Sequence, residues 1–426
     1  MDVDVIVIGA GVAGLTAATL AAKGGAQTVL LEQSGLAGGR ARSTTLSHGH
    51  VLNIGPHALY NGGGGRAVLQ SLGVDIDGAT PPTSGLALVD GTLAPLPTTP
   101  GGFVRAGWLG VRGRTQTAVA ITKILRSGDP IGLAAVPFGT WIDDTVSDPA
   151  ARALLAASMR VATYNADESM SAEAAIRQIR LAFRPGVTYV HGGWQQLVDG
   201  LRRASRAAGV QVITGAGRAR PQRSASGWVV PGREQAWTAP TVVLALGSPA
   251  AVAEAVGTSL VPSIRCQMQE LRPVRAAVLD LALDHLPVSG RTFVLGVDQP
   301  VYLSVHSATA DLAPAGGAVV HLARYLGQEP ASAHRSQLEQ LMDLVQPGWG
   351  DHVVKARFLP DIAVTHDVVP AATGGLAGRV DVKQGVGLFL AGDWVGPQGL
   401  LADASILSAA AAARGALQVA SVPVRV

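Results

Sequence analysis

The stretch Val-Asp-Val-Ile-Val-Ile-Gly-Ala-Gly-Val-Ala-Gly-Leu, residues 3–15, constrains this chain more than any other part of it. A β-branched run from Val3 to Ile8, broken only by Asp4, ends in the Gly9-Ala10-Gly11-Val12-Ala13-Gly14 motif. An alanine-rich segment follows from Leu15 to Ala22, and Thr28 to Glu32 turns apolar again. The order reads as strand, tight turn, helix and strand. Gly9 permits the turn, Gly11 removes a side chain that would block a pyrophosphate, and Gly14 lets helix and strand pack closely. Glu32 lies 18 residues past Gly14, where a carboxylate can accept both hydroxyls of an adenosine ribose while repelling a 2′-phosphate. The segment predicts a dinucleotide site, and Ala13 falls inside the same motif.

A second group of residues narrows the kind of dinucleotide. Gly35 to Arg42 reads Gly-Leu-Ala-Gly-Gly-Arg-Ala-Arg, and Leu388 to Asp393 reads Leu-Phe-Leu-Ala-Gly-Asp, followed by Gly396-Pro397-Gln398-Gly399 and a helical stretch. With these in place, the chain resembles the flavoprotein superfamily of amine oxidases, protoporphyrinogen oxidases and phytoene-desaturase-like dehydrogenases. The resemblance implies that Gly38, Gly39 and Arg40 meet the FAD pyrophosphate and that Gly392 and Asp393 meet the pyrophosphate and ribityl side. It also places Gly399 and Leu400 at the start of the late helix. Asn53-Ile54-Gly55-Pro56-His57 is similar to the family's loop beside the flavin ring, which makes Gly55 and Pro56 cofactor neighbours. Tyr189 to Trp194 is similar to its central Gly-Gly turn. Independently of the family, a helix beginning near Gln398 to Asp403 would aim unpaired N–H groups and a positive dipole end at the charge that reduction places on flavin N1 and O2.

The fold class expected is α/β: a discontinuous Rossmann-type FAD-binding domain from residues 1–78, 187–249 and 384–426. An α+β substrate domain from 79–186 and 250–383 would carry an antiparallel sheet and a helical insertion. Residues 78–100 are rich in Pro, Thr and Gly, and the segments near 117–125, 149–163 and 171–183 have helical spacing. Strand-like runs at 274–283, 292–297, 301–305 and 318–323, then a helix near 336–345, supply the second sheet.

Composition excludes other classes. Lys+Arg exceed Asp+Glu by 33 − 30 = 3 over 426 residues, and no basic block is interleaved with aromatics, so no nucleic-acid groove is expected. The single cysteine, Cys266, rules out an intramolecular disulfide, a multi-cysteine metal site and a CxxC pair, and is expected to be packed. It lies far from the late helix, so FAD is expected to be non-covalent and no metal is expected. Asp2 and Asp4 stand where a secretory signal would carry Lys or Arg, and no run reaches the roughly 18 apolar residues of a membrane span. A cytoplasmic protein is expected, with peripheral membrane contact left open.

The expected activity is FAD-dependent dehydrogenation of a small or apolar organic substrate at a C–N or C–C bond, with hydride transfer to flavin N5. The acceptor would be oxygen or another oxidant. The alternatives are a flavin monooxygenase and a non-redox flavin-fold isomerase or ligand-binding protein. Amine oxidases of the superfamily usually carry a lysine at the start of the strand that here would be 272–281, a segment without one, which leans the reading towards the desaturase-like branch. His57, Tyr60 and Trp394 are the candidate catalytic side chains. His57 would act as a proton acceptor or substrate-orienting group, the rival reading being a histidine that satisfies backbone groups of a Gly-Pro turn. Asn61 to Gly65 reads as a flexible turn, His191 as a turn residue. Gly215-Ala216-Gly217-Arg218 lacks the third glycine of a second dinucleotide motif, so no nicotinamide domain is expected.

Overall fold

The computed structural model describes residues 1–126, 128–225, 227–233, 235–327 and 334–420. Its first body is a five-stranded sheet in the order Gln211–Ile213, Thr28–Leu31, Val5–Ile8, Thr241–Leu244 and Leu388–Leu390. Every neighbouring pair is parallel. The inner strands are buried on both faces, which is why they read as unbroken Val, Ile and Leu runs rather than alternating ones. The helices Val12–Lys23, Gln195–Ala207 and Leu401–Val419 cover one face, with Leu15, Leu197 and Ala409 in one core. The opposite face carries a three-stranded antiparallel sheet, Gln222–Ser224, Gly227–Pro231 and Ala236–Ala239, together with the helices Pro249–Val256 and Pro262–Glu270. Val252, Val256 and Met268 thus share a core with Ile6 and Val29, so residues 249–270 pack on the parallel sheet.

The second body is a seven-stranded sheet: Val353–Thr365, Val274–Leu283, Ala318–Leu326, Val301–Val305, Phe293–Gly296, Leu86–Val89 and Thr92–Pro95. All its pairs are antiparallel except Phe293–Gly296 with Leu86–Val89. In the strand Val274–Leu283, Leu279, Leu281 and Leu283 enter one core beneath the helix His334–Val345. Ala276, Val278 and Asp280 alternate with them onto the other face. The helices Gly110–Arg126, Phe138–Thr145, Pro149–Thr163 and Ala172–Phe183 form the insertion. Pro149 occupies the first helical position, and the Asp148 carboxylate accepts the N–H groups of Ala150 and Ala151, a cap that fixes where that helix begins.

Four features depart from the sequence reading. The Pro/Thr/Gly-rich stretch hides a hairpin, Leu86–Val89 and Thr92–Pro95, whose turn is Asp90-Gly91 with both residues at positive φ; Asp-Gly between short apolar runs is the signal that was there to be used. The longest strand, Val353–Thr365, was not expected, because it is a partly exposed edge strand containing Pro360, and register shifts break its alternation. Asn61 to Gly65 is not simply a flexible turn: the helix Gly64–Ser71 starts inside it. Cys266 is exposed rather than packed, on the outer side of the helix Pro262–Glu270. Among the described residues no helix is long and apolar enough to cross a membrane, and no cluster of three metal-ligating side chains occurs.

Candidate active site

A cleft of about 790 Å³ runs from the carboxyl ends of the parallel strands to the cleft-facing side of the seven-stranded sheet. Its walls include Ile8, Gly9, Ala245 and Gly392 on one side and Ala276, Val278 and Ile362 on the other. Carboxyl ends of parallel strands are where open α/β sheets bind ligands, because the connections diverge there and leave a crevice.

At one end stands Glu32. Its carboxylate accepts the N–H of Ala10 at 2.7 Å and of Ser34 at 2.9 Å, which fixes it at the edge of the glycine turn. Gly9 has φ +101°, and a Cβ there would collide with the Ala245 carbonyl; a Cβ on Gly14 would collide with the Gly9 carbonyl. A Cβ on Gly11 would meet nothing, since it would project into the open cleft. Gly11 precedes the helix Val12–Lys23 without a side-chain cap, so the first-turn N–H groups remain available at the cleft.

Midway along, Arg40 and Asp393 lie 2.6 Å apart, Arg40 also donating to the Val364 carbonyl at 2.7 Å. His366 Nδ1 is 3.2 Å from the other oxygen of Asp393. Burial would push the Asp393 carboxyl up, but Arg40 and His366 outweigh it and hold it below the usual carboxylate range.

The far end is apolar. Ile54, Pro56, Ala58, Tyr164, Trp194, Ala276, Val278 and Ile362 face it, and Leu401, Ala402 and Ser405 bring the first turn of the helix Leu401–Val419 to its edge. His57 is the titratable group among the Ile54–Ala58 loop residues there. Its ring sits edge-on to Trp194, centroids 4.9 Å apart, and Nδ1 lies 3.0 Å from the Gly55 carbonyl. Burial lowers its pKa to about 4, against the raising effect of the Gly55 carbonyl, so the ring is neutral near pH 7. A carbonyl only accepts, so the proton resides on Nδ1 and Nε2 is left as an acceptor.

Behind this loop lies a charged cluster. Asp280 is fully buried, 2.6 Å from His321 Nδ1 and 2.6 Å from Arg357, and it takes a long 3.4 Å bond from the Gly55 N–H. Burial alone would raise the Asp280 carboxyl, but His321 and Arg357 hold it below the usual range. Arg357 also donates to the Asn53 carbonyl, so the second sheet grips the loop that carries His57.

Of the residues singled out in the sequence, Gly9, Gly11, Ala13, Glu32, Gly38, Gly39, Arg40, Pro56, His57, Gly392 and Asp393 border the cleft. Gly14 and Gly55 stand directly behind Gly9 and Pro56. Four do not belong to its wall. Tyr60 is buried and donates its hydroxyl to the Ala162 carbonyl at 2.7 Å. Trp394 is buried in the core on the far face of the parallel sheet, beside Trp228 and Leu390, where the turn after the strand Leu388–Leu390 carries it. The Gly399 carbonyl is turned to Arg379, and Leu400 enters the core of the helical insertion, so the helix meets the cleft one residue later, at Leu401. His366, Trp194, Tyr164 and the small side chains Ala276 and Val278 were not expected there. Trp194 ends the Gly-Gly turn noted in the sequence, but no short motif marks His366 or Tyr164, and only the period-two pattern of residues 274–283 points to 276 and 278 sharing a face.

A parallel-sheet dinucleotide crevice closed by an antiparallel sheet is the architecture of flavin-dependent oxidoreductases. Residues 4–303 match the family model described as FAD dependent oxidoreductase, and the chain belongs to that family. It is an FAD-dependent oxidoreductase. No curated protein matches the sequence. Among solved structures, an oxidoreductase from Methanosarcina mazei is similar with a TM-score of 0.75 at 20% identity, over 96% of this chain and 99% of that one. Cyclohexylamine oxidase from Brevibacterium oxydans gives 0.70 at 18%, over 98% and 99%. Putrescine oxidase bound to putrescine gives 0.72 at 16%, over 98% and 99%. At these identities the likeness is one of fold.

Proposed function

We propose that the protein dehydrogenates a small or apolar organic substrate, at a C–H bond next to nitrogen or at an allylic carbon, with FAD held non-covalently in the cleft. A new C=N or C=C bond is left behind. FAD supplies the two-electron acceptor at which the substrate hydrogen is delivered as hydride; the second hydrogen leaves as a proton, and oxygen or another acceptor restores the oxidised cofactor.

The residues present fit that cofactor part by part. Glu32 suits the adenosine ribose. The uncapped first turn at Gly11, with Arg40 and the open surface of Gly39, suits the pyrophosphate. Asp393 suits the ribityl hydroxyls, and the helix edge at Leu401 and Ala402 suits the ring edge on which negative charge grows. No cysteine borders the cleft, so a thioether link has no donor. We assign the cofactor-carrying part to 1–78, 187–249 and 384–426, extended by the helices of 249–270 that pack with it, and the rest to the substrate side.

The single observation that carries the dehydrogenation reading is the apolar end of the cleft. Ala276 and Val278 occupy the strand positions facing it, no lysine borders it, and the nearest imidazole is neutral. Such a site excludes water and orients a C–H bond, which is most of what this chemistry asks of side chains. His57 Nε2 would accept a hydrogen bond from a substrate N–H or O–H. A pKa near 4 makes it a poor proton acceptor at neutral pH, so we assign it orientation rather than proton removal.

The test is anaerobic bleaching of the bound flavin across a panel of amines, polyenes and cyclic intermediates. Bleaching by one of these classes, with a product two hydrogens poorer, is expected. Fully loaded protein that none of them bleaches, or rapid flavin reduction by NADPH with an oxygenated product, would overturn the reading.

A further inference from the structure

The helical insertion turns an unusual face outward. Between Asp90 and Asp129 the sequence holds no carboxylate, yet carries Arg105, Arg112, Arg114, Lys123 and Arg126. Within that run the exposed side of the helix Gly110–Arg126 carries apolar groups between its cations. At 3.6 residues per turn, positions 111, 115, 118, 119 and 122 fall on one stripe, which Arg126 closes at its C-terminal end, and all six are exposed. Val111 is 75% exposed and Val119 54%, and Val104, 74% exposed, stands at the head of the stripe, its carbonyl bonded by Arg114. The two threonines do not offset this. Thr115 donates its hydroxyl to the Val111 carbonyl at 3.0 Å and Thr122 to the Ala118 carbonyl at 2.8 Å, which leaves their methyl groups as the outward surface.

Valines, an alanine and methyl-presenting threonines bordered by Arg112, Lys123 and Arg126 form a surface that is apolar in the middle and cationic at the edge. Apolar groups gain by entering the headgroup and acyl boundary, and cations beside them gain from anionic headgroups. We propose that this face seats the protein on the surface of a bilayer containing anionic phospholipid, without crossing it. A second copy of the chain is the poorer occupant, because a two-fold contact would set the same cations against each other. The inference is independent of the substrate reading, since none of these residues lines the cleft.

The experiment is vesicle flotation of the full-length holoprotein, comparing phosphatidylcholine vesicles with phosphatidylcholine vesicles containing phosphatidylglycerol. Binding to the second kind alone, weakened by added salt, is expected. Replacing Arg112, Lys123 and Arg126 together by Gln should weaken it on the order of a hundredfold, about fivefold per cation. Val104→Ser, Val111→Ser and Val119→Ser together should weaken it with the charges intact. Retained flavin and an unchanged flavin spectrum report that each variant is folded. Wild-type protein that does not float with anionic vesicles at low salt would overturn the proposal. So would both triple variants floating like wild type, or a dimer in sedimentation that the serine triple abolishes.

Discussion

The carboxylate of Asp403 accepts the backbone N–H of Gly65 at 3.0 Å, and two glycines, Gly63 and Gly65, leave room for it. A Cβ on Gly63 or on Gly65 would collide with the carboxylate oxygens, and Gly399, two residues before the helix Leu401–Val419, packs against Asp403. Gly63 and Gly65 are therefore a backbone cradle for one buried acid in the first turn of the helix Leu401–Val419, while Gly62 packs on Leu181 and Pro185 and Gly64 on Leu407.

That burial raises the Asp403 carboxyl to about 6, the Gly65 N–H lowering it only in part. The folded form then binds the proton more tightly than the unfolded chain, so this contribution favours folding in acid and is lost as pH rises from about 4 through 6, amounting to about 3 kcal/mol. Asp403→Asn keeps the acceptor and removes the charge. It should stabilise the protein at pH 8 and flatten the slope between pH 4 and 6 in denaturant titrations. An unchanged pH profile would show that the acid is not the source.

Arg40→Ala should loosen FAD. On the proposed placement the substitution would remove a charge-assisted pyrophosphate contact worth about 1.5–3 kcal/mol and leave the Asp393 charge with His366 alone, so the FAD dissociation constant should rise roughly 10- to 150-fold. Fluorescence titration of apoprotein with FAD measures it; unchanged affinity would mean Arg40 stays on Asp393 and Val364 when the cofactor is bound.

His57 is neutral throughout the working range, so the limiting rate of flavin reduction should show no ionisation of this group between pH 6 and 9. His57→Ala should raise the substrate dissociation constant more than it lowers that rate. Anaerobic stopped-flow reduction distinguishes the two: a limb near pH 6.5 that disappears in the variant would make His57 the base.

Neither NADH nor NADPH should reduce the flavin at a rate matching turnover. Gly217 and Arg218, the nearest approach to a second nucleotide motif, line the Glu32 end of the same cleft rather than a site of their own. Single-turnover mixing with each nucleotide checks this.

The nucleotide half was legible because its requirements are local. Gly9, Gly11, Gly14 and Glu32 must satisfy turn sterics and one close approach within a single strand-helix-strand unit, and such constraints leave fixed spacings. The apolar end was not. It is assembled from one face of the strand Val274–Leu283 and from Ile362 on an edge strand with shifted register, and which residues face inward depends on pairings between distant segments. Trp394 shows the same limit at short range: it follows Asp393, which borders the cleft, yet it points into the core. His366 has no signature beyond its position after that edge strand.

The parallel sheet also dictates an order of events during synthesis. Val5–Ile8 lies between Thr28–Leu31 and Thr241–Leu244, and the edge strand Leu388–Leu390 comes from almost the far end of the sequence. A nascent chain that has exposed its glycine turn still lacks the neighbouring strand Thr241–Leu244, Asp393 and the helix edge at Leu401, and closing so long a loop is slow. The first strand, apolar on both faces, lacks its second neighbour until Thr241–Leu244 has left the ribosome, past the middle of the chain, and Thr241–Leu244 in turn waits for Leu388–Leu390. Termination before residue 388 leaves a fragment that lacks Asp393 and the helix edge at Leu401 and carries Thr241–Leu244 as an uncovered sheet edge.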